Sequence, residues 1–192
     1  MANIGLRKPI VAPMLAEGGY GTPAALGKAV STEITPNYAE GSLYGDDFKC
    51  EEDKEFVDAT VNLGVTTVPV SFNNSMFGHT VTDQETTYNA NDEAPYVGMG
   101  IIGVEKIDGR KKFVANFLPK CKFKEPGKSY QTKGDSITYN TPTLEGTALA
   151  LDSGVWKYDK VCDTEDAAVT WINGKFGASE NTGENTGENT GG

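Results

Sequence analysis

Apolar and polar residues alternate along several stretches of the chain, and this two-residue period predicts β-strands. Over residues 57–63 an apolar side chain stands at every second position, which is typical of a strand with one buried face. Two further β-prone runs, residues 96–106 and 111–122, flank Asp108-Gly109, a dipeptide that supplies the positive φ angles of a type I′ turn. These runs therefore predict a β-hairpin.

Helical patterns are confined to two places. Residues 71–78 break the β pattern and predict a single helical turn. Near the end of the chain, Asp163 or Thr164 can cap a helix whose first turn contains Glu165 and Asp166 and whose apolar face comes from residues 167–172. Asn173-Gly174 predicts where this helix ends.

The order of these elements predicts one main domain with appendages. Residues 1–25 are rich in Gly and Pro and predict an N-terminal arm or loop, in which only the short apolar run Ile10-Val11-Ala12 is a candidate strand. Residues 26–177 carry the β pattern. Within this domain, residues 80–95 form a long polar stretch, and loops of that length usually have a function. Residues 178–192 repeat Glu-Asn-Thr-Gly and are expected to be disordered. We predict a mainly β fold, a β-sandwich or partial barrel, with one flanking C-terminal α-helix.

Charge is unevenly distributed over a chain whose net charge is −10. Residues 46–58 contain seven acidic residues against two lysines, whereas residues 105–133 contain nine basic residues against three acidic ones. An acidic protein with a single basic segment is not typical of a general nucleic-acid-binding protein. The two segments are either separate solvated faces or complementary surfaces through which copies of the chain meet head to tail.

Cysteine and histidine usage argues against a metal site. Cys50, Cys121 and Cys162 are far apart and form no C-x-x-C motif, and His79 is the only histidine. A zinc site needs about four such ligands, so none is expected, and the scattered cysteines are typical of reduced thiols in a cytoplasm. No signal peptide is visible at the start of the sequence, and no apolar run reaches the ~18 residues of a membrane-spanning helix.

Motifs for catalysis or nucleotide binding are equally weak. Residues 98–103 match G-x-G-x-x-G, but the predicted hairpin follows them instead of the helix that a nucleotide site needs, so these glycines are expected in a strand that a neighbour approaches closely. His79 lacks a nucleophile-elbow motif nearby and is expected at the surface or at the edge of a loop. We therefore expect no enzyme, no cofactor and no metal.

Four motifs in order resemble a known family. These are Ser42-Leu43-Tyr44-Gly45-Asp46-Asp47, the Pro-Tyr and small-residue run of residues 91–100, the stretch from Lys122-Phe123 to Tyr139, and the Thr164–Ile172 segment. Together they resemble the major tail proteins of long-tailed, non-contractile phages and prophages of Gram-positive bacteria. The resemblance runs from about Leu6 to Phe176 and leaves out the C-terminal repeats.

The resemblance implies a structural role. Such proteins form a β-sandwich flanked by a helix, and six copies join their sheets into a ring with an inner β-barrel. Stacked rings make the tail tube of the virion through which the genome leaves. The implied partners are further copies of the chain and the tape measure, tail terminator and distal tail proteins, with DNA only in transit and no membrane.

Residues expected at a subunit interface come from three segments: the acidic segment, the polar stretch and the basic segment. They are Asp46, Asp47, Glu51, Thr82, Asp83, Glu85, Asn91, Arg110, Lys111 and Lys112. The alternative function is a monomeric β-sandwich binding module, such as an adhesin or a carbohydrate-binding domain. Sugar sites usually display several exposed aromatic side chains, whereas Trp156 and Trp171 are expected to pack in the core.

Overall fold

The structure, a computed structural model, describes residues 2–45, 48–130, 132 and 141–177. The predicted disordered tail, residues 178–192, lies outside the described residues. The elements in chain order are β1 (Ala2–Pro13), β2 (Ala24–Ala25), β3 (Ala29–Gly45), β4 (Phe48–Val65), α1 (Phe72–Ser75), β5 (Thr80–Thr82), β6 (Glu85–Thr87), β7 (Val97–Ile107), β8 (Arg110–Phe123), β9 (Thr143–Ala148), β10 (Tyr158–Cys162) and α2 (Glu165–Lys175).

One large antiparallel sheet dominates the molecule, so the predicted mainly β fold with a C-terminal helix is confirmed. Its strand order is β2-β1-β7-β8-β9-β4-β3, with β10 as an additional neighbour of β8. The sheet curls until β3 comes close to β1. Over the described residues no ladder joins these two strands, and a closed barrel is not formed.

The sheet divides at β8, because two strands share the same edge of it. Residues 121–123 of β8 pair with β9, and residues 113–117 pair with β10. The predicted hairpin of β7 and β8 is confirmed, with Asp108 (φ 50°) and Gly109 (φ 78°) at its turn. At the end of β8 that pairs with β9, the sheet curls. At the end that pairs with β10, β4 and its partner β3 separate from β8.

Two apolar clusters lie on opposite faces of β7 and β8. On one face, Met99 and Ile101 pack in a cluster with Leu63 of β4 and with α1 residues and the residues next to them. On the other face, Ile102 packs with Phe117 and with the residues of α2. Since successive side chains of a strand point to opposite faces, β7 is buried on both sides and forms the centre of the fold.

The G-x-G-x-x-G motif lies within β7, as predicted. A Cβ atom added to Gly100 would collide with the Ile172 side chain of α2, and one added to Gly98 would come within 2.9 Å of Phe176. The glycines therefore let α2 approach the sheet closely, and the expectation of a structural motif is confirmed.

The expectation of an arm or loop over residues 1–25 is wrong for its first half. Residues 2–13 form β1 and pair with β7 along its length. Pro9 is tolerated because it falls in a bulge between Arg7 and Ile10, where the proline nitrogen is not required to donate to β7. Its carbonyl accepts a hydrogen bond from the Leu26 backbone N–H at 2.9 Å. The loop is limited to the residues between β1 and β2.

The C-terminal helix begins as predicted and ends later. The Thr164 side chain caps α2 by accepting a hydrogen bond from the Ala167 backbone N–H at 3.2 Å. The helix continues past Asn173-Gly174 to Lys175, because Ile172 and Phe176 are both buried against the sheet and this packing outweighs the low helix propensity of Asn-Gly. No helix among the residues described has both the length and the hydrophobicity needed to cross a membrane.

Candidate subunit interface

The hairpin of β3 and β4 extends beyond the sheet as a two-stranded ribbon. The strands remain paired as far as Gly45 opposite Phe48, whereas β9 pairs with only Ala59–Gly64 of β4. Residues 37–45 and 48–58, hereafter the ribbon, therefore extend about 30 Å at about 3.3 Å per residue. The described side chains of the ribbon are exposed or half-buried. A two-stranded hairpin is marginally stable alone in water, so this element has the most to gain from a neighbour.

An aromatic cluster supports only the base of the ribbon. The Phe56 ring stacks on Trp156 with centroids 5.0 Å apart, and Tyr38 meets the edge of Phe56 at 6.1 Å. The Tyr38 side chain nevertheless stays half exposed. The prediction that Trp156 packs in the core is confirmed in part, since this residue is partly buried against the first apolar cluster.

One of the three acidic residues predicted at an interface, Glu51, falls in the outer part of the ribbon. Asp46 and Asp47 lie outside the described residues. Glu51 belongs to β4, and only its backbone is described. Closer to the base, Lys54 Nζ lies 2.7 Å from Glu40 Oε1 on the facing strand. The ribbon thus combines an acidic sequence with an open strand edge.

The basic residues predicted at an interface lie at the start of β8. Arg110 and Lys111 are exposed, and Lys111 Nζ lies 5.1 Å above the Phe113 ring. Lys112 instead forms an ion pair with Asp163 of its own chain and, by this hydrogen bond, lowers the pKa of the Asp163 carboxyl. Arg110 and Lys111 remain the better candidates for contact with a second copy.

The ribbon and the β7–β8 turn point toward the same end of the molecule. One row of paired residues across the sheet contains Ala59 of β4, Ala148 of β9 and Cys121 of β8. Because β4 and β8 are both antiparallel to β9, they run parallel to each other. From this row toward their N-terminal ends, the two strands continue for the same number of residues, to Phe48 in β4 and to Arg110 in β8. The acidic and basic segments therefore lie at the same level, where copies arranged side by side could meet.

The polar stretch of residues 80–95, hereafter the polar segment, packs onto its own chain. Strand β5 ends at Thr82, and strand β6 begins at Glu85. The turn between them is formed by Asp83 and Gln84, which have φ angles of 47° and 67°. The Asn73 side chain of α1 donates a hydrogen bond to the Thr86 hydroxyl at 2.9 Å. The part near Asn91 is a turn in which Asn91 donates its backbone N–H to Asn89 Oδ1. This anchored segment thus contains four of the residues predicted at an interface: Thr82, Asp83, Glu85 and Asn91.

His79 lies under the polar segment, and the expectation that it is a surface or loop-edge residue is wrong. The residue is 8% exposed. Its Nδ1 lies 2.6 Å from Asp92 Oδ2, which also accepts the Asn89 backbone N–H at 2.9 Å. These hydrogen bonds, chiefly the one from His79, lower the pKa of the Asp92 carboxyl. Since an ionised carboxylate can only accept, His79 Nδ1 carries the proton.

The other nitrogen of His79 borders a cavity of about 440 Å³. His79 Nε2 is buried and has no hydrogen-bond partner among the described residues, although Glu125 Oε2 lies 3.4 Å away. The cavity is lined by the apolar side chains Phe77, Ala94, Tyr96, Phe123 and Leu149 and by the polar side chains Asp92, Lys122, Lys124, Glu125 and Thr147. Sequence patterns did not predict this site, because Asp92 and Glu125 are distant from His79 along the chain.

No hydroxyl or thiol of the described residues forms a hydrogen bond with His79 Nε2. A histidine–carboxylate pair becomes a catalytic base when a hydroxyl, thiol or bound water faces the free nitrogen, and no described protein group donates to Nε2. The described residues also contain no group of three His, Cys, Asp or Glu side chains arranged to hold a metal ion. Cys121 is fully buried, and burial raises the pKa of its thiol, so it is not a candidate nucleophile.

No model of a known protein family matches this chain, and a search of curated proteins finds no significant match.

Proposed function

We propose that this chain is the structural subunit of a phage tail tube, which assembles into stacked hexameric rings whose lumen conducts the genome. The observation that carries the proposal is the ribbon, an element about 30 Å long for which the described residues supply no supporting strand or helix over most of its length. A neighbouring copy would supply the missing strand pairing. The resemblance of the sequence motifs to phage major tail proteins supports the same conclusion.

The remaining features are compatible with a structural role. The net charge of −10 would repel the phosphates of passing DNA, so that a genome could slide without adhering. In this proposal the further partners are the tape measure, tail terminator and distal tail proteins, and the protein acts in the virion tail after synthesis in the host cytoplasm. No catalytic step is proposed.

A monomeric binding module is the second candidate. The observation that favours it is the cavity next to His79, flanked by the exposed aromatic residues Tyr88 and Tyr96. A module of this kind would remain monomeric at high concentration and would bind a small ligand in the cavity. The two candidates therefore differ in the oligomeric state of the purified protein.

The test is electron microscopy and sedimentation of the concentrated protein, compared with a variant that has a shortened ribbon. Residues 41–53 are replaced by Asn-Gly, which joins Glu40 to its partner Lys54 through a two-residue turn and keeps the strand register. We expect rings or tubes from the full chain and none from the shortened chain, with unchanged thermal stability of the domain. A full chain that stays monomeric at all concentrations would contradict the proposal.

A further inference from the structure

We infer that the cavity next to His79 receives the tip of the ribbon, residues 43–48, from a second copy of the chain. This inference rests on the proposed self-assembly and assigns it a specific contact. It is drawn from three features: the chemistry of the cavity, the charges around it, and its position relative to the ribbon tip.

The cavity combines an apolar wall with a buried polar atom that lacks a partner. Phe77, Phe123 and Leu149 supply the apolar wall. His79 Nδ1 donates to Asp92, whereas the buried Nε2 has no hydrogen-bond partner among the described residues, and Glu125 Oε2 lies 3.4 Å from it. A buried polar atom without a partner is costly, so an occupant that brings both an aromatic ring and a hydroxyl group, which can donate or accept, fits the site best.

The ribbon tip has this composition. Its sequence, Leu43-Tyr44-Gly45-Asp46-Asp47-Phe48, has two aromatic residues on either side of a pair of acidic residues. The Tyr44 hydroxyl could form the missing hydrogen bond with His79 Nε2, while its ring would pack on the apolar wall.

The charges around the cavity suit an acidic occupant. Two of the nearby carboxylates have partners, since Asp92 bonds to His79 and Glu93 Oε1 lies 3.0 Å from Lys122 Nζ. Glu125 faces His79, Lys128 bonds to the Tyr88 hydroxyl, and Lys120 lies over the Tyr96 ring. Lys120 and Lys124 have no acidic partner among the described residues and can meet Asp46 and Asp47 of the second copy.

The cavity and the ribbon tip lie at opposite ends of the molecule. The cavity wall includes Lys122 and Thr147, which pair with each other, and Thr147 also pairs with Thr60 of β4. From Thr60 to Phe48 the ribbon extends away from the cavity by on the order of 40 Å. A tip therefore reaches the cavity of a copy stacked on its own end, and repetition of this contact builds an open filament and not a closed pair.

The test fills the cavity without changing the surface charge. Ala94→Trp places a large side chain in the cavity, and Ala90→Trp is the matched control, because Ala90 is exposed on the same segment and does not line the cavity. Circular dichroism and the melting temperature check that both variants fold. We expect Ala94→Trp to form rings that do not stack, whereas Ala90→Trp forms tubes like the unmodified protein. Tubes from a folded Ala94→Trp variant at the normal rate would overturn the inference and leave the proposed function intact.

A mixing experiment tests the direction of the contact. The double variant Asp46→Lys and Asp47→Lys has a reversed tip but an intact cavity, and Ala94→Trp has the opposite defect. Mixed together, the two variants share one functional contact and should give pairs of rings, or 1:1 dimers in sedimentation if the chain forms no rings. Absence of any complex in the mixture, when the unmodified chain does self-associate, would overturn the inference.

A third variant isolates the hydrogen bond to His79. Tyr44→Phe keeps the aromatic ring and removes only the hydroxyl, so it should weaken stacking by roughly three- to tenfold, the effect of losing one hydrogen bond to a buried polar atom. Tyr38→Phe is the control, since Tyr38 belongs to the base of the ribbon. Unchanged stacking by Tyr44→Phe would contradict the role assigned to His79 Nε2.

Discussion

His79 and Asp92 show how a polar pair anchors an otherwise polar segment to the sheet. The imidazole is buried, donates to Asp92, and lies between the segment that contains Asp92 and the chain after β8. The nearby Tyr88 ring covers the histidine at 4.5 Å between centroids. Loss of this pair should therefore loosen residues 88–93 before it affects the strands.

The lowered pKa of Asp92 makes a testable contribution to the pH dependence of stability. A carboxyl whose pKa is lower in the folded than in the unfolded state stabilises the fold above its ordinary pKa of about 4, and this stabilisation is lost as the pH falls through the folded value. Asp92→Asn should therefore unfold more readily than the unmodified protein at pH 7 and show a shallower loss of stability below about pH 4. Denaturant unfolding across this pH range measures both effects.

The matched control for this prediction is Asp152→Asn, which removes an exposed carboxylate in the turn after β9. This control should follow the unmodified protein at every pH. If Asp92→Asn does the same, the hydrogen bond to His79 does not contribute to stability, and the polar segment is held by its other contacts.

The β7–β8 hairpin is the element in which local sequence and central packing agree most closely. Its strands supply side chains to both apolar clusters, and its turn is formed by Asp108 and Gly109, both with positive φ. Without a Cβ atom, glycine adopts this conformation at little cost, whereas a β-branched residue is strained there.

Gly109→Val should therefore lower the free energy of unfolding by roughly 1 kcal/mol or more. Gly127→Val is the control, because Gly127 is exposed, lies in open space and does not have a positive φ. Thermal or denaturant unfolding of the two variants gives the comparison. Equal stability of Gly109→Val and the unmodified protein would show that the turn tolerates a different geometry.

Over the whole molecule, charge is separated along the sheet in a way that suits contact between copies side by side. The acidic ribbon and the basic start of β8 extend toward the same end, and Lys112 is already paired with Asp163. Each exposed pair between copies would contribute only about 0–1 kcal/mol and would be screened by salt. Their combined effect should appear in the rate of assembly more than in final stability.

Replacing Arg110 and Lys111 by Glu should therefore slow assembly at low salt and have less effect at high salt. Reversing Glu51 and Asp53 to Lys in the same chain, with the tip residues Asp46 and Asp47 unchanged, should restore part of the rate, as followed by light scattering. The control is Lys28→Glu and Lys160→Glu, two changes of the same kind at exposed lysines elsewhere on the surface. A normal rate for the Arg110 and Lys111 variant at low salt would mean that the basic segment is a solvated face.

Local patterns in the sequence were sufficient for the elements that depend on neighbouring residues. The β7–β8 hairpin follows from alternation and an Asp-Gly turn, and α2 follows from its Thr164 cap and its apolar face. The mainly β class follows from the same signals, because strand periodicity and turn chemistry are properties of short segments. The interface residues remain predictions, since no contact with a second copy is present to test them.

Tertiary structure decided what depends on residues distant in the chain. Residues 2–13 became a strand because β7 offered a free edge and a bulge accommodated Pro9. The helix continued through Asn173-Gly174 because the sheet could bury Phe176. His79 became buried because Asp92 and Glu125 were brought to it by separate elements. In each case the free energy comes from long-range packing or hydrogen bonding, which a local pattern does not encode.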